Sequence, residues 1–221
     1  MRVISGTRKG LPLKAVPGSG TRPTTDKVKE SIFNMIGPYF DGGLAVDLFA
    51  GSGGLGIESL SRGIDTCIFI EKDPRAIPII YENLKKCKLE DQAEVYKADA
   101  TRAIKALEKR QAKVDLLFLD PPYEKVGYYE LINQFVEKNL LTDNAIILCE
   151  HEKGVDLQDQ YGEFTLSRKE IYGRPIISIY RREGGFDRDA RARQGSLKPG
   201  TRRASRAGVE RTRVRQPRSC T

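Results

Sequence analysis

The chain has 221 residues, 39% hydrophobic and 31% charged, which is enough for one ordinary domain with a buried core and an appendage. No apolar run approaches the roughly 20 residues that span a bilayer, and the N-terminal MRVISGTRKG lacks the apolar stretch of a signal peptide, so a cytoplasmic protein is expected. The net charge of +8 sits at one end: residues 184–221 carry eleven Lys/Arg against three Asp/Glu, and residues 1–183 are neutral. Within the neutral part the charge is uneven. Residues 1–30 hold seven basic groups against two acidic, and residues 31–183 stand at −5. A basic arm on an acidic domain points to a polyanionic partner.

In chain order, Arg2–Ser5 and Leu11–Ala15 suggest a small hairpin, followed by the loop VPGSGTRPTT and a helix over Thr24–Ile36 capped by Thr25 or Asp26. Residues 1–36 are thus expected to form a basic arm packing on a core of residues 37–183. Short apolar runs at Leu44–Leu48, Thr66–Ile70, Ala93–Lys97, Val114–Leu119 and Ala145–Glu150 read as buried parallel strands. Helical patterns fall between them at Gly54–Arg62, Pro74–Cys87, Ala100–Arg110 and Tyr128–Asn139, with Asp73 as a cap before a proline at the first helical position. Such alternation predicts right-handed crossovers and a doubly wound α/β sheet. Glu163–Tyr172 and Pro175–Arg182, separated by Gly173-Arg174, read as a closing antiparallel hairpin. Residues 184–221 are Arg-, Gly- and Ser-rich without periodicity and are expected to be disordered, whether as an RNA-binding tail, a solvated tail or a segment foreign to the natural chain.

The strongest chemical signal is Asp47-Leu-Phe-Ala-Gly51-Ser-Gly53-Gly-Leu-Gly56, where the first strand meets a helix. Glycines there let the backbone turn tightly and approach a ligand over the helix N-terminus. Glu71, twenty residues after Gly51 at the end of the second strand, is placed to hold a ribose, so the pattern indicates NAD or S-adenosylmethionine. Asp47 favours the latter: an anion adds nothing to a pyrophosphate loop but suits the ammonium of a methionine moiety, with a loop-bracing role as its alternative. Asp99, after the third strand, suits either an adenine amino group or the cap of the next helix. Asp120-Pro121-Pro122-Tyr123 follows the fourth strand and should face the same crevice. Two prolines make a stiff turn whose acceptors are the Asp120 carboxylate and the Pro121 carbonyl. Two acceptors on an aromatic amine would aim its lone pair at a methyl donor, and Tyr123 would stack on the extruded base. His151 reads as a surface or structural residue rather than a general base. With one histidine and with Cys67, Cys87, Cys149 and Cys220 lacking CxxC spacing, free thiols and no metal site are expected.

The motif DPPY resembles the (D/N)PP(Y/F/W) signature of amino-methyltransferases, and DLFAGSGGLG is similar to their cofactor loop. Arg2-Val-Ile-Ser-Gly with Arg8-Lys-Gly, the run Arg22-Pro-Thr-Thr-Asp-Lys-Val-Lys-Glu-Ser-Ile-Phe-Asn, and the terminal Tyr180-Arg-Arg resemble the bacterial 16S ribosomal RNA guanine-N2 methyltransferase family over nearly all of residues 1–183. The resemblance implies a Rossmann-like class I S-adenosylmethionine-dependent methyltransferase, with a mostly parallel seven-stranded sheet ending in an antiparallel hairpin. It implies methyl transfer to a guanine N2 amine in 16S rRNA, free or in an assembling small subunit. On matching motifs, Asp47, Phe49, Ala50, Gly51, Ser52, Gly53, Glu71, Lys72, Asp99 and Ala100 would hold S-adenosylmethionine, and Asp120, Pro121, Pro122 and Tyr123 would handle the amine. Arg8, Lys9, Arg22 and Lys27 would approach RNA phosphates. A monomer is expected. The competing readings are a DNA adenine or cytosine amino-methyltransferase, an NAD-dependent oxidoreductase, and a non-catalytic RNA-binding protein. The first has no room for a separate target-recognition region, and the second leaves DPPY and Asp47 unexplained.

Overall fold

The apolar runs become β1 (Leu44–Asp47), β2 (Thr66–Glu71), β3 (Ala93–Lys97), β4 (Val114–Leu119) and β5 (Leu141–Glu152), all parallel. The computed structural model describes residues 1–17, 25–122 and 126–184, with the backbone alone at Val126. Tyr123, Arg22, Cys220 and, apart from Gly184, the tail of residues 184–221 therefore lie outside the described residues. The sheet is completed by β6 (Gln160–Tyr161), β7 (Phe164–Ile171) and β8 (Pro175–Arg182), in the order β3-β2-β1-β4-β5-β8-β7-β6. Strand β8 runs antiparallel to both β5 and β7, which is the expected closing hairpin.

The eighth strand, β6, is an addition to the seven expected. It spans two residues, too few for a periodic signal, and is held by packing. Tyr161 is buried edge-on against Tyr180 with ring centroids 5.2 Å apart, and the Tyr180 hydroxyl donates to the Gln158 carbonyl. Strand β5 also starts four residues earlier than its apolar run. Its first part, with polar Thr142, Asp143 and Asn144, passes a register shift against β4, and Thr142 donates to the Asp115 carboxylate at 3.0 Å. A bulge lets polar residues continue a strand where alternation breaks.

Helices α1 (Asp26–Ile36), α2 (Gly54–Ser61) and α3 (Ala76–Cys87) contribute to one buried cluster with Phe69 and Phe118 of the sheet, and α4 (Ala100–Lys109) and α5 (Leu131–Glu137) contribute to the other. Each fully buried Ile, Leu or Phe in these clusters contributes about 1.5–3 kcal/mol. Thr25 caps α1, accepting from the Val28 amide at 3.3 Å. Helix α3 begins at Ala76 rather than Pro74, because Asp73 closes a local turn on the Arg75 amide and guanidinium instead of capping the helix. Likewise α5 is preceded by a 3-10 turn over Val126–Glu130, which shortens the expected helix.

The N-terminal hairpin is reduced to one bridge, Arg2 opposite Pro12, with a 3-10 turn at Gly6–Arg8. Ladder bonds run from the Val3 amide to the Leu11 carbonyl and from Leu13 to Met1, both 2.9 Å. What fixes this segment is Glu58 on α2, which is fully buried. Its carboxylate accepts from the Ile4 and Ser5 amides (2.8 and 3.0 Å), from Arg62 Nε (2.7 Å), and pairs with Lys29 Nζ on α1 (3.3 Å). Lys29 Nζ also donates to the Arg2 carbonyl at 2.6 Å. Burial depresses the Lys29 ammonium despite the attraction of Glu58. Residues 1–5, α1 and α2 are thus joined by a hydrogen-bonded buried ion cluster.

Candidate active site

The site lies where the parallel strands end. Strands β1 and β2 finish on Asp47 and Glu71, β3 and β4 are followed by Asp99 and Asp120, and β5 carries Glu150 one residue beyond the Leu119–Cys149 pair. All five parallel strands therefore deliver an acid to one edge of the sheet, where open α/β sheets bind ligands.

The glycine-rich segment joins β1 to α2 in a left-handed turn, with φ of +53° at Gly51 and +83° at Gly53. A Cβ on Gly51 would meet nothing within 4 Å, so the backbone is open to a ligand there. A Cβ on Gly56 would fall 2.3 Å from Phe69 and 2.7 Å from the Cys67 sulfur. That glycine lets α2 press against β2, which explains its place in the motif.

Two carboxylates hold this turn. Glu71 accepts from the Gly51 amide with one oxygen and from the Lys72 and Asp73 amides with the other, each at 2.7 Å. Asp47 accepts from the Gly56 amide at 3.1 Å, so the loop-bracing role is realised in the structure. Burial raises the Asp47 carboxyl to about 7, with the Glu71 charge adding to the rise and the Gly56 amide opposing it. Asp99 caps α4 through the Arg102 amide at 2.9 Å, the second of its two expected roles, and Ala100 is buried behind it.

Asp120 begins the stiff turn, with Pro121 buried and Pro122 exposed. Burial pushes its carboxyl well above the usual range, and the charges of Glu150 and Asp47 push it further in the same direction. Neighbouring strands run about 4.8 Å apart. Two ionised carboxylates at such a separation would repel by about 3 kcal/mol at an effective dielectric of 20, which is the direction in which Glu150 acts on Asp120. Phe49, half-buried at the end of the β1 turn, packs on Tyr128 with ring centroids 4.9 Å apart.

Of the basic residues expected to face RNA, Lys9 and Lys27 are exposed. Arg8 is half-buried and donates to the Lys88 carbonyl past the end of α3 at 3.4 Å. His151 is structural: it is fully buried, its Nε2 lies 2.9 Å from the Ser178 hydroxyl, and burial lowers its pKa. Cys67, Cys87 and Cys149 are buried free thiols. Among the described residues no group of three or more His, Cys, Asp or Glu is gathered to hold a metal ion, and no helix is long and apolar enough to cross a membrane.

Sequence reasoning missed Glu150, although its signal was present: it is the acid at the end of the fifth parallel strand, where Asp47, Glu71, Asp99 and Asp120 stand on the others. It also missed Tyr128, taken as a plain helix start.

Residues 1–181 match the family described as conserved hypothetical protein 95. A provisionally named rRNA methyltransferase of Bacillus subtilis is 52% identical over 184 residues, covering 83% of this chain and 100% of the relative. The ribosomal RNA small subunit methyltransferase D of Escherichia coli strain K12 is 31% identical, covering 86% and 94%. Among solved structures, a provisionally titled methyltransferase from Escherichia coli superimposes with a TM-score of 0.69 at 31% identity, covering 83% of this chain and 98% of its own. The fold is the α/β fold of the class I methyltransferases. With four-fifths of its length matched, the chain belongs to the conserved hypothetical protein 95 family, alongside curated relatives named as ribosomal RNA methyltransferases.

Proposed function

We propose that this protein transfers a methyl group from S-adenosylmethionine to the exocyclic N2 amine of a guanine in 16S ribosomal RNA, free or within an assembling small subunit. The observation that carries the reading is the acidic edge. A dinucleotide would bring its pyrophosphate against carboxylates from every parallel strand, whereas S-adenosylmethionine brings a sulfonium and an ammonium. The names of the relatives support rRNA as the substrate.

The bound cofactor supplies a methyl group made electrophilic by the sulfonium. Glu71 would hold a ribose hydroxyl with the acceptor site left free by the Gly51, Lys72 and Asp73 amides, and Asp47, ionised in the presence of an ammonium, would hold the methionine end. Asp99 keeps an oxygen for the adenine amine beside its capping bond. Asp120 and the Pro121 carbonyl accept from the target amine, favour its pyramidal form and point the lone pair at the methyl group. Methylation leaves one proton too many on the nitrogen; Asp120, ionised while a cation stands beside it and set among groups that favour its protonation, would receive it. Tyr123 stacks on the base, while Lys9, Arg22 and Lys27, with Arg8 at the arm's root, meet phosphates.

The test is transfer from methyl-labelled S-adenosylmethionine to deproteinised 16S rRNA and to assembling small subunits, with the product nucleoside identified by digestion. Label on N2 of one guanine is the expected result. Label on adenine or cytosine, or on DNA alone, would overturn the guanine assignment.

A further inference from the structure

Asn83 stands on the buried stripe of α3 with Ile80, Leu84 and Cys87, a polar side chain beside apolar ones. A polar group in such a place is tolerated when every hydrogen bond it needs is made. Its oxygen accepts from the Lys14 amide at 2.8 Å, and its nitrogen donates to the Lys14 carbonyl and to the Ser52 carbonyl, both at 2.9 Å. One carboxamide therefore grips the returning strand of the N-terminal arm at two points and the glycine-rich turn at a third. The arm touches the same turn again at its start, where Met1 rests on Gly54 so closely that a Cβ there would lie 2.9 Å from the sulfur. Neither segment can shift away from Asn83 without stranding a buried donor or acceptor.

We propose that Asn83 is a positioning residue that couples the arm to the cofactor turn, so that RNA held by the arm and cofactor held by the turn each strengthen the binding of the other. The inference rests on the functional reading above. Linkage makes the effect reciprocal: the factor by which cofactor tightens RNA binding equals the factor by which RNA tightens cofactor binding.

The experiment measures the affinity of the full chain for S-adenosylhomocysteine with and without deproteinised small-subunit rRNA, and the affinity for that RNA with and without S-adenosylhomocysteine. In the wild type each ligand should tighten the other by roughly fivefold or more. Asn83→Asp keeps the acceptor for the Lys14 amide but faces two carbonyls with no donor, and should bring the coupling close to one while both ligands still bind. Glu82→Ala removes only the exposed Lys14–Glu82 ion pair and should leave the coupling intact. Equal coupling in wild type and Asn83→Asp overturns the proposal, as does a wild type that binds both ligands independently. A wild type that binds no S-adenosylhomocysteine overturns the functional reading beneath it. Hydrogen exchange on the wild type gives a check free of any variant: S-adenosylhomocysteine should slow exchange of the Lys14 amide, and an unchanged rate contradicts the coupling.

Discussion

Glu58 and Asp120 are both carboxyl groups drawn out of bulk water, and their surroundings are opposite. Glu58 is met by a lysine, an arginine and two backbone amides, so its charge is matched on every side. Asp120 is met by the charges of Glu150 and Asp47, which oppose its own. The first arrangement fastens the arm, α1 and α2 together. The second sets Asp120 against like charges at the end of the sheet where open α/β sheets bind ligands. On the function proposed above, the contrast separates an acid that holds structure from one that does chemistry.

Substitution at the two positions should therefore fail in different ways, and the largest effect belongs to activity. Asp120→Ala should lower the rate of methyl transfer by about a thousandfold or more, equivalent to roughly 4 kcal/mol, with S-adenosylhomocysteine binding retained. Single-turnover assays beside calorimetry measure both, and equal loss of the two would place Asp120 with Glu58 as a structural acid. Glu58→Ala should instead destabilise the fold by about 3–5 kcal/mol, since it strands Lys29 and Arg62 in the interior. Urea unfolding measures this, and a change under 1 kcal/mol would mean that the cluster contributes little.

Asp47 stands between these extremes and should show it as a pH effect. With its carboxyl at about 7, the ionised fraction rises about tenfold between pH 6 and pH 8, and cofactor affinity should rise with it. The sign for stability is the reverse. A folded pKa raised above the unfolded value of 3.8 means that ligand-free protein loses stability as pH climbs from about 4 to about 7. Asp47→Asn should flatten both profiles, as melting curves and calorimetry across pH would show. The smallest effect lies on the exposed side of the arm. Lys9→Ala or Lys27→Ala should weaken RNA binding uniformly across sequences and lower the salt slope by about 1 each, with no loss of stability. An unchanged slope would remove that lysine from the RNA-facing surface.

The elements that could be read in the sequence are those set by periodicity. The five parallel strands, the helices between them and the last hairpin follow from alternating apolar runs, and Gly51, Gly56, Glu71 and Asp120 are placed by motif spacing alone. What could not be read depends on partners distant in the chain. Strand β6 exists because Tyr161 finds Tyr180, and the start of β5 because a bulge meets Asp115. The arm is seated because Ile4, Ser5, Lys29 and Arg62 converge on Glu58, an acid that in sequence is one more charge on a short helix. Asn83 gave a weak signal, an amide on an otherwise apolar stripe, but nothing local names Lys14 or Ser52 as its partners. Asp99 shows the reverse limit, since its two expected roles need different atoms of one carboxylate.

The central claim is that the acidic edge receives a cationic nucleoside cofactor. Calorimetric titration of the full chain with S-adenosylmethionine and, separately, with NAD tests it most directly. Saturable binding of S-adenosylmethionine that is lost in Glu71→Ala, with no heat from NAD, is the predicted result; tighter binding of NAD would contradict the account.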